Sequence, residues 1–234
     1  MVVTLGIGVA ACGFMNTERR PAWRNKAESL CIKQKLVPET AFMSRGAAIR
    51  KGSCGMNAPY KVMAFAGGSV QMKTRQTLAC PIISVIEDWI ANVVQPAAQI
   101  YFGSPVVEMH TGSYSCRGRN NKKGARLSEH SFGNALDVMS FTFENGETVT
   151  VKKGWSGSEA EYNFLREVFV GSCAYFTTVL GPGSDRYHSD HFHLDLARHN
   201  KDWTNRYCRP ILKYTPQLQY DTSKRSAFPV KIRD

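Results

Sequence analysis

Seven cysteines, Cys12, Cys31, Cys54, Cys80, Cys116, Cys173 and Cys208, stand singly along 234 residues, and no two of them form a C-x-x-C pair. That spacing argues against a zinc ribbon or a thioredoxin-like redox site, which need such pairs. Two readings remain. Free thiols pack well in a reduced interior, whereas widely spaced single cysteines suit disulfides formed in an oxidising compartment. Giving Cys12 another role leaves an even six, which favours disulfides, with their pairing left open.

Cys12 has a candidate role. It ends Val9-Ala10-Ala11-Cys12 after an apolar run that starts at Val2, a pattern similar to the bacterial lipobox, where the leader is cut before a cysteine that is then acylated. The run is too short to span a bilayer, which takes about 20 residues, and it matches a signal h-region of about 7–15. No Lys or Arg lies between Met1 and Cys12, so the usual positive n-region is missing. The expectation is an exported, periplasmic chain, with lipid on Cys12 as a route to membrane attachment.

Composition narrows the class. Hydrophobic residues make up 43% of the chain and the mean hydropathy is −0.30, values that exclude a multi-span membrane protein and a disordered chain. No period of about 20–50 residues repeats, which excludes a solenoid. Lys plus Arg is 30 against 19 Asp plus Glu, a net charge of +11, and residues 209–234 hold six basic residues against two acidic ones. A basic surface suits polyanions. Nucleic acid is set aside because no recognition motif appears and export would separate the two. Peptidoglycan, with its stem-peptide carboxylates, is the better partner.

Local patterns divide the chain into an export segment and linker (1–30), a domain (31–208) and a basic tail (209–234). Residues 31–77 are expected to be loops and short strands, among them Val62–Phe65. Pro81 suits a helical first turn, and Ile82, Ile83, Val85, Ile86, Trp89, Ile90, Val93 and Val94 recur at helical spacing. Pro96 interrupts that helix and Gly103 closes it. Val106–Met109 and Ala135–Phe143 read as strands, with Asn145-Gly146 as a hairpin turn before a return strand at Thr148–Val151. Ser158 and Glu161 form a capping box for a helix carrying Phe164, Leu165, Val168 and Phe169. Val179-Leu180 leads into a turn at Gly181-Pro182-Gly183, and His191–Ala197 alternates like a strand. Helices interleaved with hairpins make the class α+β, with a small, mainly antiparallel sheet carrying the site and helices packed against it.

Four of the six histidines fall in two short segments, 128–137 and 188–195. On a strand, His191, His193 and Asp195 share one face while Phe192, Leu194 and Leu196 share the other. Gly133-Asn134 supports a tight turn that would bring His130 and Asp137 to one point. Imidazoles and a carboxylate suit Zn2+, and three protein ligands leave an open position, as catalytic zinc sites do. Either pattern alone is weak, since a His-x-His pair is more often surface polarity or a satisfied core feature. Their coincidence points to metal. His110 and His199 fall outside both segments and are assigned nothing.

Four segments, Ser-Tyr-Ser-Cys-Arg (113–117), Ser-Glu-His-Ser-Phe-Gly-Asn-Ala-Leu-Asp (128–137), Phe-Thr-Thr-Val-Leu-Gly-Pro-Gly (176–183) and His-Ser-Asp-His-Phe-His-Leu-Asp (188–195), occur in the order found in the bacterial extensin-like family, which this chain resembles over roughly residues 50–208. At one remove the same pattern resembles zinc peptidases that cut D-amino-acid peptide bonds in peptidoglycan: D-Ala-D-Ala carboxypeptidases, lysostaphin-type enzymes and penicillin-insensitive murein endopeptidases. That resemblance implies His130, Asp137 and His193 as zinc ligands and His191 as an outer or transition-state partner. It implies His188 as the base: the Glu that many relatives place before the H-x-H pair is missing, and the murein endopeptidases instead have a His three residues before the pair, the spacing at which His188 stands. It also puts Arg117 near the substrate carbonyl. The expected function is a zinc-dependent peptidoglycan hydrolase, acting on stem-peptide or cross-link bonds through a zinc-activated water. The alternative is a zinc-stabilised wall-binding module without catalysis.

Overall fold

The computed structural model describes residues 20–220. Cys12, the apolar leader and the basic residues Lys224, Arg225, Lys231 and Arg233 lie outside the described residues.

The first described element overturns the expected linker. Residues Ala22–Lys33 form helix α1, which buries Arg24, Ala27, Glu28 and Cys31. Those positions follow helical spacing, but two of the four are charged, so an apolar stripe does not show in the sequence. Glu28 is buried because the backbone N–H groups of Asn57 and Ala58 donate to it at 2.7 and 3.0 Å and Arg20 pairs with it.

Strands β1 (Met43–Arg45), β2 (Ile49–Lys51), β3 (Cys54–Met56), β4 (Pro59–Phe65) and β5 (Val70–Ala79) follow, then helix α2 (Cys80–Trp89). A π-helical turn at Ile90–Val94 joins α2 to helix α3 (Gln95–Phe102), so Pro96 interrupts the helix without ending it. There the Gln95 N–H reaches back to the Ile90 carbonyl, a widened turn that makes room for a proline ring just beyond it. Gly103, left-handed at φ +59°, caps α3. The rest are β6 (Val106–Gly112), β7 (Ala135–Phe143), β8 (Thr148–Thr150), the short α4 (Val151–Gly154), α5 (Glu159–Tyr175), β9 (Thr178–Leu180), β10 (Phe192–Asp195) and β11 (Tyr207–Arg209). The Ser158–Glu161 capping box opens α5 as expected.

The architecture is α+β. One nine-stranded sheet runs β1-β4-β5-β6-β7-β10-β9-β11, with β8 pairing to β7, and only β5–β6 and β9–β11 are parallel. It is larger than the small sheet expected, because β4 and β5 lie in the stretch read as loops and short strands. Strand β5 escapes a period-2 reading because Lys73-Thr74-Arg75 breaks its apolar alternation and Gln76 faces inward. The Gln76 amide there donates to the Thr74 and Thr111 carbonyls at 2.7 and 3.1 Å. Val62, Met72, Leu78, Leu136, Val138, Phe192 and Leu194 of the sheet share one core with Ile82, Ile86 and Trp89 of α2 and Phe164 and Val168 of α5. Trp89 is core, as its spacing suggested, with its indole N–H on Ser172 Oγ at 2.9 Å.

Three disulfides join Cys31 to Cys80, Cys54 to Cys116 and Cys173 to Cys208. They fit an extracellular or periplasmic setting. No helix among the described residues is long and apolar enough to cross a membrane.

The domain does not end at residue 208. Beyond β11 the chain returns to α5, where Glu167 is completely buried. Tyr214 Oη donates to its carboxylate at 2.8 Å, the Gln217 and Leu218 N–H groups each at 2.9 Å, Tyr101 Oη at 3.1 Å, and Tyr220 Oη completes the cage. Burial alone would raise the Glu167 pKa, but these donors outweigh it and hold the carboxyl below its usual range. The stabilisation is therefore present above the ordinary carboxylate pKa and lost as acid protonates the group. Ending the chain at Arg209 is expected to cost roughly 3–5 kcal/mol, because a buried charge loses most of its partners; thermal unfolding of the two chain lengths measures it. The six bridged cysteines are expected to resist alkylation until reduced. Reduction should lower the melting temperature, since each bridge typically contributes roughly 2–4 kcal/mol.

Candidate metal centre

The site forms where β7 and β10 pair. Their antiparallel register sets His193 directly opposite Asp137, with Leu136 opposite Leu194 and Val138 opposite Phe192 turned into the core. His130 arrives from a 3-10 turn, Glu129–Phe132, whose N-cap Ser128 accepts the His130 N–H. Gly133 closes that turn at φ +60°; a Cβ there would lie 2.1 Å from Met56 Sδ and 3.0 Å from the Ala79 nitrogen. The left-handed backbone and this crowding favour glycine, and the tight turn puts His130 beside the start of β7.

Three atoms then converge. His130 Nε2 lies 3.1 Å from Asp137 Oδ1, His193 Nδ1 lies 2.9 Å from the same oxygen, and the two nitrogens are 3.1 Å apart. The opposite ring nitrogens fix which atoms face inward. His130 Nδ1 donates to the Ser113 carbonyl at 2.6 Å, and His193 Nε2 donates to Asp195 Oδ2 at 2.9 Å. With those protons outside, neutral rings would each turn a lone pair toward an anionic oxygen, so the arrangement needs a proton or a cation at its centre. His130, Asp137 and His193 are a group of residues that can hold a metal ion, and two imidazoles with one carboxylate match the donor set of an open zinc site.

Electrostatics agree with that demand. Burial would lower the His193 pKa, but Asp137 and Asp195 outweigh it and push it up to about 10. Asp137 is held well below its usual range: burial opposes this, and the hydrogen bonds from His130 and His193 prevail.

The other expected residues border the cluster. His191 Nε2 is 3.7 Å from Asp137 Oδ1 while its Nδ1 bonds Asp190 at 2.8 Å. His191 precedes β10, so it stands at the rim and does not share the strand face of His193 and Asp195. Arg117 brings Nη2 to 4.0 Å from Asp137 Oδ2. His188, 7% exposed, packs its ring 5.6 Å from that of His193 and 5.3 Å from that of His191, with Nδ1 on Asp185 Oδ1 at 2.7 Å. All of them line one cleft of about 390 Å³.

The family model described as extensin-like protein C-terminus matches residues 29–209. The chain belongs to the extensin-like family. No curated protein and no solved structure matches it significantly. In this extensin-like chain the match runs from within α1 to the end of β11, so the His130–Asp137–His193 cluster and all three disulfides lie inside it and the Glu167 cage extends past it.

Sequence reasoning missed three participants. Asp195 was placed on the correct face but given no role, and it is the carboxylate that orients His193. Arg24 makes a buried bidentate pair with Glu129 at 2.6 and 2.8 Å, its guanidinium 3.9 Å from the Phe132 ring centroid, and so braces the turn that carries His130. His199, left unassigned, lines the cleft with Nε2 on Thr178 Oγ1 at 2.9 Å. Only Asp195 carried a signal, its period-2 relation to His193.

A cation entering the cluster displaces a proton from His193. Uptake of Zn2+ is therefore expected to strengthen with pH, by about tenfold per unit between pH 7 and 9. Chelator competition measures this, and His130→Ala and Asp137→Ala should each lose most of the affinity.

Proposed function

We propose that this protein is a zinc-dependent hydrolase of peptidoglycan stem peptides or their cross-links, related at a distance to the zinc D-Ala-D-Ala carboxypeptidases and murein endopeptidases. The observation that carries the reading is the convergence of two imidazole lone pairs and a carboxylate, each oriented from behind, at the floor of an open cleft. His130 Nε2, Asp137 Oδ1 and His193 Nδ1 are the atoms that would hold the ion. When bound there, zinc supplies a Lewis acid that lowers the pKa of water to about 7.

The chain's own groups supply the proton handling. His188 donates Nδ1–H to Asp185, which leaves Nε2 free to accept. Burial lowers the His188 pKa against the opposing pull of Asp185, so the ring is neutral near pH 7 and able to take a proton and return it to a leaving amine. Asp185 fixes both tautomer and ring plane. Arg117, beside Asp137 and half-exposed to the cleft, offers a cation to charge developing on an attacked carbonyl. His191 at the rim gives its Nδ1–H to Asp190 and turns Nε2 to the same side.

The test separates catalysis from wall binding alone. His188→Ala is expected to keep its zinc and fold while hydrolysis of purified peptidoglycan slows by about 10²–10⁴, followed by mass spectrometry of released fragments. His193→Ala should lose metal and hydrolysis together. Binding of peptidoglycan with no fragment released from any substrate by the zinc-loaded wild type would establish the non-catalytic wall-binding module instead.

A further inference from the structure

The two flanks of the cleft differ in charge. On the β7 side, residues 117–126 hold Arg117, Arg119, Lys122, Lys123 and Arg126 and no acidic residue. This segment is fastened at both ends. Cys116 is bridged to Cys54, Gly118 pairs with Leu127, and the Arg117 N–H donates to Ser131 Oγ at 3.0 Å. Asn120 and Asn121 both take left-handed backbone, φ +54° and +55°, which folds the segment tightly at the cleft mouth. Lys122 Nζ lies 5.6 Å from the ring centroid of Tyr187, and Arg186 stacks on the same ring at 4.8 Å, which adds a cation to this flank.

Of the segment's cations only Arg117 has a carboxylate beside it among the described residues, Asp137 at 4.0 Å. Asp137 and Asp195 are bonded to the cluster histidines, Asp185 to His188, and Glu129 to Arg24. Among the described residues, Arg119, Lys122, Lys123 and Arg126 form no ion pair with a carboxylate. On the far flank, beyond β10, the cleft is lined by Thr178, Leu180, Ala197 and His199, with no Lys or Arg.

We propose that the 117–126 segment is a carboxylate-binding flank that orients an anionic peptide across the metal cluster. The acidic part of the peptide lies against Arg119, Lys122 and Lys123, and its uncharged part lies over β9. The ligand class is a peptide with at least one free carboxylate beyond the bond at the cluster. For peptidoglycan, this means stem peptides whose carboxylates are free rather than amidated. The proposal builds on the hydrolase reading, but charge selection is read by binding as well as by turnover.

The experiment uses zinc-supplemented protein and two soluble peptidoglycan fragments, identical except that the stem carboxylates are free in one and amidated in the other. Wild type is expected to bind the free form about tenfold more tightly at low salt, the scale of three exposed charge contacts combined. The preference should shrink as salt is raised to about 0.5 M. The triple variant Arg119→Gln, Lys122→Gln, Lys123→Gln, all exposed positions, should lose the preference while KM rises and kcat holds. Equal binding of the two fragments by wild type, or a preference kept by the triple variant, overturns the proposal. If wild type cleaves neither fragment yet keeps the preference, the hydrolase reading fails and the carboxylate flank stands.

Discussion

The pairing of β7 with β10 in the register that sets Asp137 against His193 is the constraint from which the rest follows. Side chains alternate along a strand, so a slip of either strand by one residue would turn its member of the pair out of the cluster and drive its apolar neighbours, Leu136 and Val138 or Phe192 and Leu194, from core to surface. Burial of those four apolar residues therefore specifies the geometry of the polar ones. The site needs no ion to choose its register, because the hydrophobic face on the back of the same strands has already chosen it.

Elements with strong local signals were legible in the sequence. The α2 helix announced itself by apolar residues recurring at helical spacing, β7 and β8 by Asn145-Gly146, and α5 by Ser158 and Glu161. His130, Asp137 and His193 were legible as a group because turn chemistry at Gly133 and strand alternation at residues 192–195 each fix a direction for the side chain. What escaped was held by buried polar and charged groups. Helix α1 hides behind Arg24 and Glu28, β5 behind Gln76, and the return of the chain to α5 behind Glu167. A reading based on apolar periodicity treats such residues as solvent-facing, and only the tertiary partners that satisfy them show otherwise.

Those buried carboxylates share a function. Glu28 receives two backbone N–H groups ahead of β4, Glu129 receives Arg24 and the Asn134 amide, and Glu167 receives two backbone N–H groups and three tyrosines. Each fastens an irregular stretch to a regular element where apolar packing has little to grip. Such groups add little net stability when satisfied, but losing one partner strands a charge in the interior. The irregular segments around the cleft are held in place by this penalty as much as by the disulfides.

The two imidazoles of the cluster present opposite nitrogens, His130 its outer Nε2 and His193 its inner Nδ1. One ring reaches the centre from farther away along its own side chain than the other. Amide side chains reproduce these two reaches separately: glutamine extends about as far as Nε2, and asparagine about as far as Nδ1. The shape-preserving replacement is therefore glutamine at position 130 and asparagine at position 193. Exchanging the two would leave one amide short of the cluster and press the other into it, so the pocket distinguishes residues that are chemically almost identical by the length of a single methylene.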